Sequence, residues 1–198
     1  MRLTTPRVPC VGPSEWTAEQ AEGMGREAAD LQGNLSDSDD VFNLLKAMAN
    51  HPALCAAWMG FSTHLLFDDS NTLPPREREM IILRIGWLCQ SGYEFGQHIL
   101  LSQKAGVNKA EIVAVSKGAD DPIWDDHMRA VMTAVDELHS DAFISDATWA
   151  QLKKKYEDKQ IMDLIFTVGQ YNMLSMALNS MGVQLDDGVP EYKSYLAE

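Results

Sequence analysis

Residues 73–98 read "LPPREREMIILRIGWLCQSGYEFGQH". Apolar residues cover most of the circumference of its first part at a helical pitch, with no alternation of apolar and polar positions. A helix that is apolar nearly all round belongs in an interior. The prolines at its start suit a helix N-terminus, where a missing N–H costs nothing. The stretch predicts a buried helix over 75–90, a break before Gly92, and a second helix running on to Gly106.

The flanking sequence carries the same helical signals and almost no strand signals. Residues 1–13 hold three prolines and are expected as an extended arm. Ser14 is placed to cap a helix over 15–31, weakened by Gly23 and Gly25. A helix over 39–50 follows, and Asn50-His51-Pro52 breaks it. Residues 52–67 are apolar on most sides and predict another buried helix. Asn108 with Glu111 forms a capping-box signature for a helix over 109–118. Further helices are expected over 123–140 and 145–157, and a long one ends at Gly182, a left-handed terminator. The chain is therefore all-α: an arm over 1–13, one helical domain over 14–185, and a tail over 186–198.

Composition narrows the function. The 198 residues suit one domain with a real core. A net charge of -13 argues against nucleic acid and anionic membranes as partners. No apolar run is long enough to span a bilayer, and the N-terminus lacks a signal-peptide core, so cytoplasmic residence is the expectation. Cys10, Cys55 and Cys89 form neither a CxxC nor a zinc pattern, so no metal site is expected and the thiols are expected to be reduced.

The chemistry concentrates between Glu79 and His98. Ser91 and Glu94 fit S-x-x-E, and a capping box alone accounts for both. Glu94 and His98 are also four apart and share a helix face. A carboxylate there can orient an imidazole for acid–base work near neutral pH. The two readings stand side by side. Glu79 lies twelve residues before Ser91, among Arg76, Arg78 and Arg84. Arg84 has the most apolar neighbours and, if buried, needs an anionic partner. Trp87 shares its face and reads either as core or as a substrate platform.

Glu79, Ser91, Glu94 and His98 together resemble the carboxymuconolactone decarboxylase and alkyl hydroperoxidase D-like superfamily, over roughly residues 40–185. The hydroperoxidase branch carries E-x11-C-x2-C-x3-H. Glu79 and His98 match its ends, while Ser91 and Glu94 occupy the two cysteine positions. A peroxidatic centre needs a thiolate and a resolving thiol, so thiol peroxidase activity is not expected. The decarboxylase branch, to which the chain is more similar in this respect, implies a lyase without metal or organic cofactor. It implies protomers assembled around a threefold as a trimer or hexamer.

The resemblance and the residues together lead to an expected carbon–carbon lyase, a decarboxylase of a small carboxylated lactone or aromatic-degradation intermediate. His98 is the expected general acid, with Glu94 orienting it or exchanging protons and Glu79 a supporting or second acid. Arg84 is the expected carboxylate clamp, with Ser91 and Trp87 at the substrate. A hydrolase, dehydratase or isomerase using the same Glu–His pair is one alternative. A non-catalytic helical assembly is the other.

Overall fold

The computed structural model describes residues 3–24, 41–66 and 69–197, and among them every regular element is helical. Helix α1 is Ala18–Gly23, α2 Asn43–Met48, α3 Pro52–Leu66, α4 Pro75–Leu88 and α5 Gly92–Lys104. Then come α6 Lys109–Lys117, α7 Asp126–Asp141, α8 Asp146–Leu152, α9 Asp158–Met181 and α10 Tyr192–Ala197.

Helix α4 is the axis of the molecule. Met80, Ile81, Ile82, Leu83 and Ile85 are all fully buried, with α5, α6, α7 and α9 packed around them. Its apolar circumference is the cause, since each face needs its own cover. The register against α9 is fixed at both ends. Before α4, Thr72 donates from its N–H and its hydroxyl to Asp163 at 2.7 and 2.6 Å. After it, Asn179 Nδ2 donates to the Cys89 carbonyl at 3.0 Å. The two helices thus run parallel.

Several termini follow the sequence closely. Asn108 and Glu111 form the expected capping box, and Gly182 ends α9 in the left-handed region at φ 73°. The first helix differs. Thr17, not Ser14, caps α1 with Gln20, and α1 stops at Gly23. Positions 25–31 of the expected helix lie outside the described residues.

Two expectations are corrected. Helix α3 is not buried: only Cys55 and Leu65 are, while Leu54 is 52% and Phe61 40% exposed. Among the described residues, α3 is covered mainly by α1, α2 and an edge of α9. Of the C-terminal segment expected as a tail over 186–198, the described residues 186–197 are packed on the domain. Asp186 accepts hydrogen bonds from the Tyr93 hydroxyl at 2.6 Å, the Asn43 N–H at 2.7 Å and the Gln97 amide. The chain then crosses α5 at Gly96, where a Cβ would lie 2.9 Å from the Pro190 carbonyl oxygen. Tyr192, on α10, is buried against Trp87 and Phe95. The arm over residues 3–12 has no helix, as expected, and is pinned by Arg7 N–H donating to the Met181 carbonyl at 2.7 Å.

Candidate functional site

The corner between α4 and α5 is abrupt. Gln90 takes φ 52°, in the left-handed region, and the Ser91 N–H donates to the Gly86 carbonyl at 2.9 Å. This folds α5 back along α4 and brings Glu94 and His98 to Glu79. His98 Nδ1 lies 2.6 Å from Glu79 Oε2, and Nε2 lies 3.0 Å from Glu94 Oε1. All three side chains are at most 5% exposed. The result is a buried chain, carboxylate–imidazole–carboxylate, in which each ring nitrogen has its own acid.

The charge state follows from this geometry. Burial alone pulls the His98 pKa down, but the charge and hydrogen bond of Glu79, with those of Glu94, outweigh it and raise it to about 10. His98 is therefore an imidazolium at neutral pH. It donates from Nδ1–H to Glu79 and from Nε2–H to Glu94.

The capping reading of Ser91 and Glu94 is not what forms. Ser91 occupies the N-cap position, but its hydroxyl makes no cap bond and is buried with no partner among the described residues. Its ψ is 94°, whereas the bonded caps Thr17 and Asn108 both have ψ 166°. The Glu94 carboxylate turns to His98 instead of returning to the Ser91 N–H, which is taken by Gly86. A buried cation is the stronger partner.

Arg84 is not at this site. Its Nε and Nη2 grip Asp136 at 2.6 and 3.0 Å, and Nη1 donates to the Val115 and Ser116 carbonyls. The anionic partner that its burial required is on α7. Gly118, at φ 100°, leaves it room, since a Cβ there would lie 2.8 Å from Nη2. Trp87 also points elsewhere, edge-on to Phe95 and Tyr192 at ring-centroid distances of 6.0 and 5.9 Å. It is an aromatic packing residue.

Tyr171 is the residue that sequence reasoning missed. Its ring stands edge-on to His98 at 5.1 Å, and it is 3% exposed. Burial first, then the charges of Glu94 and Glu79, push its phenol well above its ordinary value, so it stays a neutral hydroxyl. It lies on α9, far along the chain from Glu79, Glu94 and His98. The signal was there in Thr167, Tyr171 and Ser175, spaced by four on one face of α9, all buried. The Thr167 and Ser175 hydroxyls have no partner among the described residues.

Among the described residues, no group of three or more His, Cys, Asp or Glu side chains is disposed to hold a metal ion. Cys10, Cys55 and Cys89 are free thiols. No described helix is long and apolar enough to cross a membrane.

Known proteins share the fold. Residues 52–137 match the model of the carboxymuconolactone decarboxylase family, a span that includes Glu79, Glu94 and His98. No curated protein matches the chain in sequence. The structure is similar to the alkylhydroperoxidase AhpD core of an uncharacterized peroxidase-related protein from Ralstonia eutropha JMP134. The TM-score is 0.75 at 15% identity, over 92% of this chain and 93% of that one. An uncharacterized peroxidase-related protein from Silicibacter sp. TM1040 gives a TM-score of 0.73 at 17% identity, over 94% of this chain and 95% of that one. The debrominase Bmp8 gives 0.66 at 13% identity, over 90% and 87%. These identities speak for the fold alone. The molecule is thus of the all-helical class built around an AhpD-like core. Within that class, residues 52–137 carry the match to the carboxymuconolactone decarboxylase family.

Proposed function

We propose that the protein is a cofactor-independent lyase that decarboxylates a small carboxylated lactone or aromatic-degradation intermediate by Glu/His acid–base chemistry. The observation that supports this reading is the buried Glu79–His98–Glu94 chain, with a protonated histidine between two carboxylates. Loss of carbon dioxide leaves its electron pair on carbon, where a conjugated carbonyl of the substrate can hold it. That carbon must then be protonated. His98 is the proton reservoir. Its Nε2–H is already shared with Glu94, so the proton passes from His98 to the Glu94 carboxylate and on to the carbon, leaving the imidazole neutral. Glu79 holds the charge on the far nitrogen, and solvent restores the proton afterwards. Thiol peroxidase chemistry has no part in this reading, because Ser91 and Glu94 stand where that chemistry needs thiols.

The same reading takes the protein to assemble with itself, as a trimer or hexamer. Phe61 on α3 and Met162, Phe166, Met173 and Met176 on α9 are 40% to 58% exposed, an apolar face larger than scattered surface residues produce.

Glu94→Gln tests the chemistry, because it keeps the side chain's shape and removes its proton exchange. Small unsaturated lactones and di-acids are screened by absorbance and released carbon dioxide. On a substrate so found, the variant is expected to lose on the order of 10²-fold in turnover with its fold intact. Full turnover in both Glu94→Gln and His98→Asn would place the active site elsewhere.

A further inference from the structure

Helix α4 carries three arginines ahead of the α5 corner, and their fates differ. Arg76 pairs with Glu111, and Arg84 grips Asp136. Arg78, next to Glu79, enters neither pair, and its Nε is buried with no partner among the described residues. A buried guanidinium nitrogen left unbonded is costly unless something else completes it.

Other unpartnered groups sit at the same level. Gln170 is 3% exposed, and among the described residues neither its amide nitrogen nor its amide oxygen has a partner. The parallel register of α4 and α9 sets Arg78 and Glu79 beside the turn of α9 that holds Gln170 and Tyr171. Helix α3 reaches this level from the other direction. His64 lies 3.9 Å from Asp163, and Phe61 stands edge-on to Phe166, so α3 runs antiparallel to α9. One turn further along, Trp58 comes level with Gly169 and Gln170. Its indole N–H is buried and has no partner among the described residues.

We infer that Arg78, Gln170 and Trp58 form a carboxylate-binding subsite beside the Glu79–His98–Glu94 chain. The guanidinium supplies the charge and a planar fork, and the amide and indole N–H groups complete the shell of a carboxylate. The inference rests on the acid–base reading of the neighbouring chain and adds what that reading lacks, since Arg84 is committed to Asp136. The group bound here is one that the substrate keeps. Ion pairing to a departing carboxylate would hold the ground state and slow its loss. The substrate class is thus a small acid whose anchoring carboxylate takes no part in the bond-breaking step.

Calorimetric titration tests this with two acid/neutral pairs: benzoate with benzamide, and an unsaturated γ-lactone acetic acid with its methyl ester. The unmodified protein is expected to bind each acid at least tenfold more tightly than its neutral partner. Arg78→Gln is expected to erase that preference and leave affinity for the neutral compounds unchanged. Gln170→Met provides a second arm that does not depend on Arg78. It should weaken acid binding several-fold while the melting temperature stays level or rises, because two unsatisfied buried atoms are gone. A structural role for Gln170 predicts the opposite, lost stability with unchanged binding. Equal affinity for acid and neutral compound in the unmodified protein overturns the subsite. So does an acid preference that survives Arg78→Gln or, should that variant not fold, Gln170→Met. If acid binding behaves as expected but Glu94→Gln leaves turnover intact, the subsite stands and the acid–base reading falls.

Discussion

Replacing His98 with glutamine probes the charge chain directly. In the native protein one cation lies 2.6 Å from one carboxylate and 3.0 Å from another, all but excluded from water. His98→Gln leaves two buried carboxylates without a counter-charge, a loss of about 3–5 kcal/mol. At about 2–4 °C per kcal/mol for a chain of this size, the melting temperature should fall by roughly 6–20 °C at pH 7. The pH dependence should change as well. His98 has its folded pKa raised from 6.5 to about 10, so its contribution is complete below 6.5 and disappears as pH climbs through about 10. The native protein should therefore lose stability steadily from pH 7 toward pH 10. In the variant two like charges cannot both remain ionised without cost, so one carboxylate holds a proton at low pH. Its loss should appear on the acid side, as pH rises through the carboxylate range, and its curve should be flatter above pH 7. Circular dichroism melts from pH 5 to 9 of the native chain, His98→Gln, and Glu79→Gln/His98→Gln/Glu94→Gln together decide the matter. The triple variant carries no buried charge there and should recover part of the lost stability. A single variant melting within about 2 °C of the native protein, with the same slope above pH 7, would refute the charge-chain account.

Ser91→Ala should be neutral or stabilising by up to about 1 kcal/mol, since the buried hydroxyl has no bond among the described residues; a loss of that size, as at a true N-cap, would show that the cap forms after all. Gly96→Ala should cost about 1–3 kcal/mol and expose the C-terminal segment to proteases, because the new Cβ meets the Pro190 carbonyl and the side chains of Leu185 and Val189. An unchanged melt and cleavage pattern would mean the strap yields freely. Sedimentation at micromolar protein should show a trimer or hexamer, and Phe166→Glu should weaken it; a persistent monomer removes the self-association proposal.

Some of this was legible in the sequence because the cause was local. The apolar girdle of residues 80–85 placed α4 at the centre, and the four-residue spacing of Glu94 and His98 put them on one face. Glu79 joined them only through the family resemblance, because its pairing with His98 depends on how the α4–α5 corner folds. The choice among the arginines failed for a physical reason. Burial of Arg84 was read correctly, but its partner Asp136 lies 52 residues away on another helix, and no pattern around Arg84 points to it. The apolar faces of α3 misled in the opposite sense, since composition records that a surface wants cover and not what supplies it. S-x-x-E supports a cap and an acid–base pair equally well, and only the ψ of Ser91 separates them.

The parallel seating of α4 on α9 also bears on how the protein is made. The contacts at its two ends, Thr72 with Asp163 and Cys89 with Asn179, span 91 and 90 residues of chain. A ribosome adding about 5–20 residues per second reaches the Tyr171 turn roughly 5–20 s after Glu79. During that interval the central helix of the molecule stands open along one whole side, with Glu79, Glu94 and His98 already translated. The early arm must wait too, because Leu3 hydrogen-bonds with Gln184, and Arg7 with Ser180 and Met181. The nascent chain thus offers chaperones an apolar target in the window just before α9 arrives, and slow codons between residues 105 and 158 would lengthen it.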